Sequence, residues 1–317
     1  MLHIMRNHCV SCLGFNAALL TGGNDGTQTS VKLTSSVVYP NNCMVPSMAT
    51  GLRDHVTFLT QEVPPRVASC GGWDDDHGNW RERSKKCLIL ASGNWSTGLI
   101  DNLPDKRMNS ASARLDEGVF LLGGRYTRST SVFLPAGTRS WVSGPELPVT
   151  MRNGPCAAPI SGRSFLIVYG KHVREFDTEV AGPRSSAGWR PRGKWPQMQV
   201  ERTYQPGCAV LKTKFIVAGG SNDVDGTLKS TEIIDLEQGT TYFASDMQRE
   251  RSNFNFFVMS GNLYAFGGYN CVGGCHSLAD VEEFVEDTES WKLADKNLPG
   301  GRSSYGGVAL NGDLVCG

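Results

Sequence analysis

The feature that most constrains this 317-residue chain is a glycine pair that returns about every fifty residues. "AALLTGG" ends at Gly23, "VASCGG" at Gly72, "GVFLLGG" at Gly124, "FIVAGG" at Gly220 and "LYAFGG" at Gly268. A variant, "FLIVYG", ends at Gly170, and the chain stops in "LVCG" at Gly317. Successive pairs begin 46 to 52 residues apart. Each pair closes an apolar run of strand length, yet glycine weakens a strand and packs nothing. One such pair means a turn. A self-similar period of this length means a propeller or an array, and it outranks any local motif.

The rest of the unit repeats with it. Arg6, Arg53, Arg107, Arg152, Arg202, Arg251 and Arg302 each stand about sixteen residues before a pair. Between arginine and glycines lie two apolar runs separated by a turn, as in "RSNFNFFVMSGNLYAFGG". In the last copy Asn311-Gly312, flanked by apolar runs, is a strong short-range hairpin signal. A polar loop and a third run follow the glycines, then an aromatic seven or eight residues on: Trp141 after Phe133, Tyr242 after Ile234, Trp291 after Phe284. Each unit reads as four short strands with no helix.

This unit resembles the kelch repeat, in which an apolar strand ends in Gly-Gly and a spaced aromatic pair follows. The resemblance covers nearly the whole chain. It implies an all-β kelch-type propeller with one four-stranded blade per repeat, the glycines letting the second strand's backbone approach neighbouring side chains closely. The repeats are 6–52, 53–106, 107–151, 152–201, 202–250 and 251–301, with a two-strand partial copy at 302–317, in one propeller domain. Three copies depart from the pattern: the first has Tyr39 without a following Trp, the fourth has Tyr169-Gly170, and the fifth has Tyr242 for Trp. Twenty-six strands leave two over from six blades and two short of seven. Ending inside a glycine pair suggests part of a longer protein.

Lys+Arg equals Asp+Glu at 31 each, without the basic footprint of a nucleic-acid binder. The apolar runs fall far short of the roughly twenty residues a membrane span needs, and the N-terminus lacks a signal-type apolar core. Ten cysteines exceed cytosolic usage but are too few for a disulfide scaffold. Cys70 and Cys87 flank one loop symmetrically, within reach of each other across the ladder. Cys271 and Cys275 share a loop, and Cys156 and Cys208 read as buried thiols on inner strands. The sequon Asn94-Trp95-Ser96 and the cysteines lean extracellular, while the missing signal leans the other way, so the compartment stays open.

Chemistry is sparse. In "SNDVDGTLKSTE", Asp223, Asp225, Gly226 and Glu232 match parts of a calcium loop, but Ser221 occupies the first ligand position and the flanks are strands, so a plain turn is preferred. Asp74, Asp75, Asp76 and His77 read as a solvated loop rather than a metal site. No nucleotide-binding or nucleophile motif is present, and no cofactor is expected. Some kelch-type propellers are enzymes, but the copper-radical oxidase type needs a Tyr/Cys/His constellation that these repeats do not supply.

Strand alternation places the blade-start arginines and the loops after the glycine pairs on one face. The longest of these loops are Trp73–Lys86 and Tyr269–Leu278. First strands are innermost in the fold that the resemblance implies, so the arginines are expected around the channel mouth. There they either bond neighbouring carbonyls and acids or, as in kelch adaptors, bind an acidic peptide. The expected function is a non-catalytic protein-interaction module. Its candidate contacts are Arg53, Arg107, Arg152, Arg202, Arg251, Arg302, Trp73 and Tyr269. The rival is a carbohydrate-binding or enzymatic kelch propeller of oxidase or mutarotase type. Kelch proteins with BTB or F-box segments act as ubiquitin-ligase adaptors; the resemblance here includes no such segment. On the opposite face "TEVAGPRSSAGWRPRGKWPQ", with Trp189, Arg190, Arg192 and Trp195, is a weaker second contact candidate.

Overall fold

A computed structural model describes residues 15–25, 36–40, 43, 45–48, 51–74, 83–125, 130–150 and 153–316. The strands gather into six antiparallel sheets of three or four strands, the blades of a propeller. The third blade shows the plan: Ala111–Leu115, Gly118–Leu122, Ser131–Pro135 and Val142–Ser143 pair in sequence order. The second (Val56–Leu59, Val67–Cys70, Cys87–Ala91, Asn94–Ser96), the fifth (from Gly207–Leu211 to Thr240–Ala244) and the sixth (from Asn255–Met259 to Ser290–Leu293) repeat it.

The first blade draws on both ends of the chain. Its inner strand is Gly306–Leu310, which pairs with Ala17–Thr21, which pairs in turn with Ser36–Tyr39. The partial last repeat thereby closes a six-bladed ring. Beyond it, where the alternation expects a second strand, Asp313–Cys316 is one helical turn. The edge such a strand needs is already taken by Ala17–Thr21.

Second strands such as Ala17–Thr21 and Gly118–Leu122 are buried at every residue. A blade is covered on both faces by its neighbours, so its strands need apolar residues on both sides. The core therefore lies between blades, in six apolar clusters that run right around the ring. Between the third and fourth blades Phe120, Phe133, Phe165 and Phe176 stack with ring centroids 4.5–5.6 Å apart. Each such ring contributes about 1.5–3 kcal/mol through burial.

The glycine pairs mark where blades touch. The first glycine of each turns the chain left-handed, and a Cβ on Gly71, Gly219 or Gly267 would lie 2.4 Å from the carbonyl oxygen of Arg107, Arg251 or Arg302 in the next blade. The second glycine donates its N–H to that same carbonyl: Gly72 to Arg107 at 2.7 Å, Gly220 to Arg251 at 2.9 Å and Gly268 to Arg302 at 2.8 Å. No other residue fits so close to a neighbouring backbone.

The fourth blade has three regular strands, Cys156–Pro159, Ser164–Tyr169 and His172–Asp177. Its fourth place is held only by Trp189 and Arg190, through the Phe176–Trp189 bridge and the Arg190 N–H on the Glu175 carbonyl. Cys70 and Cys87, opposite each other in the second blade, form a disulfide with Cα atoms 4.2 Å apart. Cys271–Cys275 closes a loop tip. Cys156 and Cys208, expected as free thiols, are joined: adjacent inner strands hold their Cα atoms 5.8 Å apart, which links the fourth blade to the fifth. Among the described residues no helix is long and apolar enough to cross a membrane.

Candidate functional site

Around one mouth of the channel the chain enters every blade through a residue of positive φ: Asp54, Asn109, Gly154, Gln205, Asn253 and Ser304, with φ between 36° and 57°. Their backbones form a belt. The N–H of Asn109 meets the carbonyl of Asp54 at 2.8 Å, Gln205 that of Gly154 at 3.2 Å and Asn253 that of Gln205 at 3.3 Å. Ser304 reaches Asn253 at 3.0 Å and Asp54 reaches Ser304 at 2.7 Å. Left-handed backbone suits Asn, Asp and Gly, which hold four of the six places. These residues, and none of the described blade-start arginines, form the belt.

The blade-start arginines turn away from it. Arg107, Arg202, Arg251 and Arg302 are buried, and each sends Nη1 to the carbonyl of the first glycine of its own blade: Gly123, Gly219, Gly267 and Gly22. With the glycine N–H bonds to the next blade's arginine carbonyl, they form a bonded path from blade to blade. Arg202 and Arg251 also pair with the fully buried Glu232 and Glu282 at 3.1 and 2.5 Å. Those carboxylates accept two further backbone N–H bonds each, Gln199 and Val200 on Glu232, Gln248 and Arg249 on Glu282. Arg107 uses the more exposed Asp105 instead. Burial lowers the pKa of Arg302 to about 10 and pulls Arg202 below its ordinary value against the attraction of Glu232. A guanidinium closed off in this way offers a partner no free donor face. Arg152 lies outside the described residues.

Arg53 is the exception, and the register explains it. In the sixth blade the belt residue Asn253 follows Arg251 by two positions; in the second, two positions before Asp54 stands Leu52. Leu52 fills the buried place and packs with Met48 and Leu88. Leu88 in turn occupies the position of Glu282, since Cys70 pairs with Cys87 as Phe266 pairs with Val281. The second blade thus has an apolar pair where the fifth and sixth have an ion pair, and Arg53 is displaced by one residue to the outside. Its guanidinium lies over the Trp73 ring, 5.6 Å from the centroid, and Arg53 and Trp73 are backbone partners. Nε has no hydrogen-bond partner, and no carboxylate among the described residues lies at ion-pair distance. Burial raises the Asp54 carboxyl above its usual range, against the lowering pull of Arg53, Ser304 and Arg125.

Tyr269 occupies the Trp73 place in the sixth blade, bridged to Ser252 as Trp73 is to Arg53. It opens a short hairpin, Tyr269–Asn270 with His276–Ser277, whose tip the Cys271–Cys275 disulfide braces. The fifth blade carries Ser221–Asn222 with Gly226–Thr227. That loop is a turn held by Asn222 Oδ1, which accepts from the backbone of Val224 and Asp225; Glu232 is spent on Arg202, so the calcium-loop match has no structural counterpart. The tips present Val224 (90% exposed) and Val272 (59%), and the exposed Tyr204 is bridged to Ser221 at the base of the fifth-blade hairpin. Sequence reading missed these three, although a Val at the centre of two polar loop tips was a usable signal.

Asn94 is exposed at the start of the second blade's outer strand. Asp75, Asp76 and His77 lie outside the described residues. Among those described, no three His, Cys, Asp or Glu side chains gather as a metal site. Between the first and second blades Thr21, His55, Thr57 and Ser69 form a buried polar cluster, with Thr21 Oγ1 2.9 Å from His55 Nε2. Burial, then the Arg302 charge, lowers the His55 pKa to about 3, which keeps the imidazole neutral.

The fold and these contacts define a class: a six-bladed propeller with an arginine–glycine path between blades. Over 281 residues the chain is 24% identical to Kelch-like protein 41a of Danio rerio, covering 81% of this chain and 45% of that protein. It is 28% identical over 130 residues to Kelch-like protein 41b of Danio rerio (38% and 21%). With Kelch repeat and BTB domain-containing protein 2 of Ectromelia virus (strain Moscow) it shares 31% over 98 residues (31% and 17%). No protein-family model matches the chain. The chain spans less than half the length of these curated relatives. These similarities and the six-bladed fold support a kelch-repeat propeller.

Proposed function

We propose that this propeller is a protein-interaction module that docks a partner segment on the face carrying the channel mouth and the Trp73 and Tyr269 hairpins. The observation that carries the reading is Arg53, the one described blade-start arginine displaced from its blade and laid on an aromatic ring without an acid to pair with. An aromatic face beneath a guanidinium leaves its edge free for a carboxylate, so an acidic side chain is the complementary group. Tyr204, Val224 and Val272 add apolar contact on braced loop tips, which lose little freedom on binding.

The test begins with capture of partners by the full chain, followed by affinity measurements on purified pairs. Arg53→Ala should weaken binding about 5- to 150-fold, the equivalent of about 1–3 kcal/mol for a charge-assisted bond, with the melting temperature unchanged. Arg302→Ala should lower the melting temperature instead. An Arg53→Ala protein that binds as wild type would move the docking site off this face.

A further inference from the structure

The described disulfides differ most in what surrounds them. Cys70 and Cys87 are buried in the apolar cluster between the second and third blades. Cys156 is buried and Cys208 half-buried, and both pack in the cluster between the fourth and fifth. Cys271 and Cys275 are exposed, as is every residue between them. Solvent can reach the third bond directly, whereas a buried one reacts only when the surrounding structure opens. The loops differ in the same direction. Partners stand 17 and 52 residues apart in the buried pairs and 4 apart at the tip. The support a cross-link gives the whole fold grows with the loop it closes. Opening the tip therefore leaves the propeller intact.

Locally the tip depends on the bond. The corresponding fifth-blade hairpin holds itself: Asn222 Oδ1 accepts from Val224 and Asp225, and Asn222 Nδ2 donates to the Asp225 carboxylate and the Glu201 carbonyl. The sixth-blade hairpin is longer, with Tyr269 paired to Ser277 where Ser221 pairs with Thr227. Asn270 occupies the Asn222 position, but its Oδ1 accepts from Val272 alone, at 2.7 Å. Gly273 and Gly274 follow with positive φ, and the space around each is open. His276 Nδ1–H donates to the Gly274 carbonyl at 2.9 Å. The disulfide supplies the bracing that the second asparagine bond gives the shorter hairpin.

We propose that Cys271–Cys275 is a thiol-exchange site, opened in the folded protein by a small thiol of the glutathione class to release the hairpin tip. A thiolate attacks one sulfur of the pair, forms a mixed disulfide and expels the other cysteine as thiolate. A second thiol then resolves the mixed disulfide. Two thiols give up two electrons and two protons; the products are the open dithiol and the disulfide of the small thiol. The base of the hairpin stays in place, because Tyr269 and Ser252 exchange backbone bonds at 2.7 and 3.0 Å. The segment released is the one that presents Val272. It belongs to the face assigned to docking, but the exchange site rests on the surroundings of the disulfide and holds whether or not a partner binds there.

The test exposes the folded full chain to reduced glutathione, blocks the thiols formed with one alkylating reagent, then unfolds, reduces and blocks the rest with a second. Peptide mass spectrometry should find Cys271 and Cys275 reduced at least tenfold faster than Cys70, Cys87, Cys156 and Cys208. Glutathione disulfide should restore the bond. Hydrogen exchange of the backbone at 271–275 should speed up at least tenfold in the reduced protein. The double variant Cys271→Ser with Cys275→Ser should show the same increase, with the melting temperature unchanged. Reduction of Cys271–Cys275 no faster than that of the buried pairs overturns the proposal. So do free thiols at these positions before treatment, or hydrogen exchange that stays the same once the bond is open.

Discussion

Arg251 offers the sharpest test of the arginine–glycine path. Both Arg251 and Glu282 are fully buried, and the guanidinium also serves the Gly267 carbonyl. Arg251→Ala leaves Glu282 charged, buried and held by two backbone N–H groups alone. Breaking a buried pair from one side costs about 3–5 kcal/mol. At about 2–4 °C per kcal/mol that is a fall of roughly 6–20 °C in melting temperature. Removing the second charge should then recover stability rather than lose more, because the second blade already carries Leu52 and Leu88 at these two positions. Arg251→Leu with Glu282→Leu should therefore regain at least half of the loss. Guanidinium unfolding followed by circular dichroism, alongside calorimetry, reads both variants. A single variant within about 1 kcal/mol of wild type, a small change on the usual mutational scale, would refute the buried-pair reasoning. So would a double variant below the single one.

Three further outcomes follow from the same contacts. His55, neutral in the fold with a pKa near 3, takes up its proton only in the unfolded chain between about pH 3 and 6.5. Stability should thus fall as pH drops through that window, and the slope of unfolding free energy against pH should flatten in His55→Gln; an unchanged slope would clear His55 of the effect. Gly267→Ala places a Cβ 2.4 Å from the Arg302 carbonyl at a φ of 51° and should cost about 2–3 kcal/mol in denaturant unfolding, whereas Gly261→Ala, with open space around it, should cost only the left-handed backbone strain of about 1 kcal/mol. Replacing Cys156 and Cys208 by Ala should lower stability by about 2–5 kcal/mol, and non-reducing peptide mapping should recover the 156–208 link from the native chain.

Fold class was legible because its signal was both local and repeated: a glycine pair, an arginine and a spaced aromatic recur in nearly every unit. The direction of the arginines was not. A guanidinium at the start of an inner strand reaches equally well into the channel or back into its own blade, and only the close approach of the glycine carbonyl decides. The displacement of Arg53 was faintly visible. Its interval to the glycine pair is 18 residues against 15–17 in the other repeats, but the longer connection between Leu59 and Val67 masks a one-residue shift. Contacts that join distant segments stayed hidden altogether. Spacing cannot show that Cys156 meets Cys208, or that Gly306–Leu310 completes a blade begun at Ala17. Both depend on the ring being closed.

That closure bears on how the molecule is made. Five blades consist of neighbouring residues and can assemble as the chain leaves the ribosome. The first cannot, because Ala17–Thr21 lacks its inner partner until Gly306–Leu310 has been synthesised. At 5–20 residues per second the N-terminal strand stays exposed along one edge for about 15–60 s. During that time the nascent chain is an open arc with two unsatisfied ends. An unpaired strand edge of this kind is a template for another chain, so a chaperone acting early, or a neighbouring ribosome acting badly, would meet this protein at its first blade.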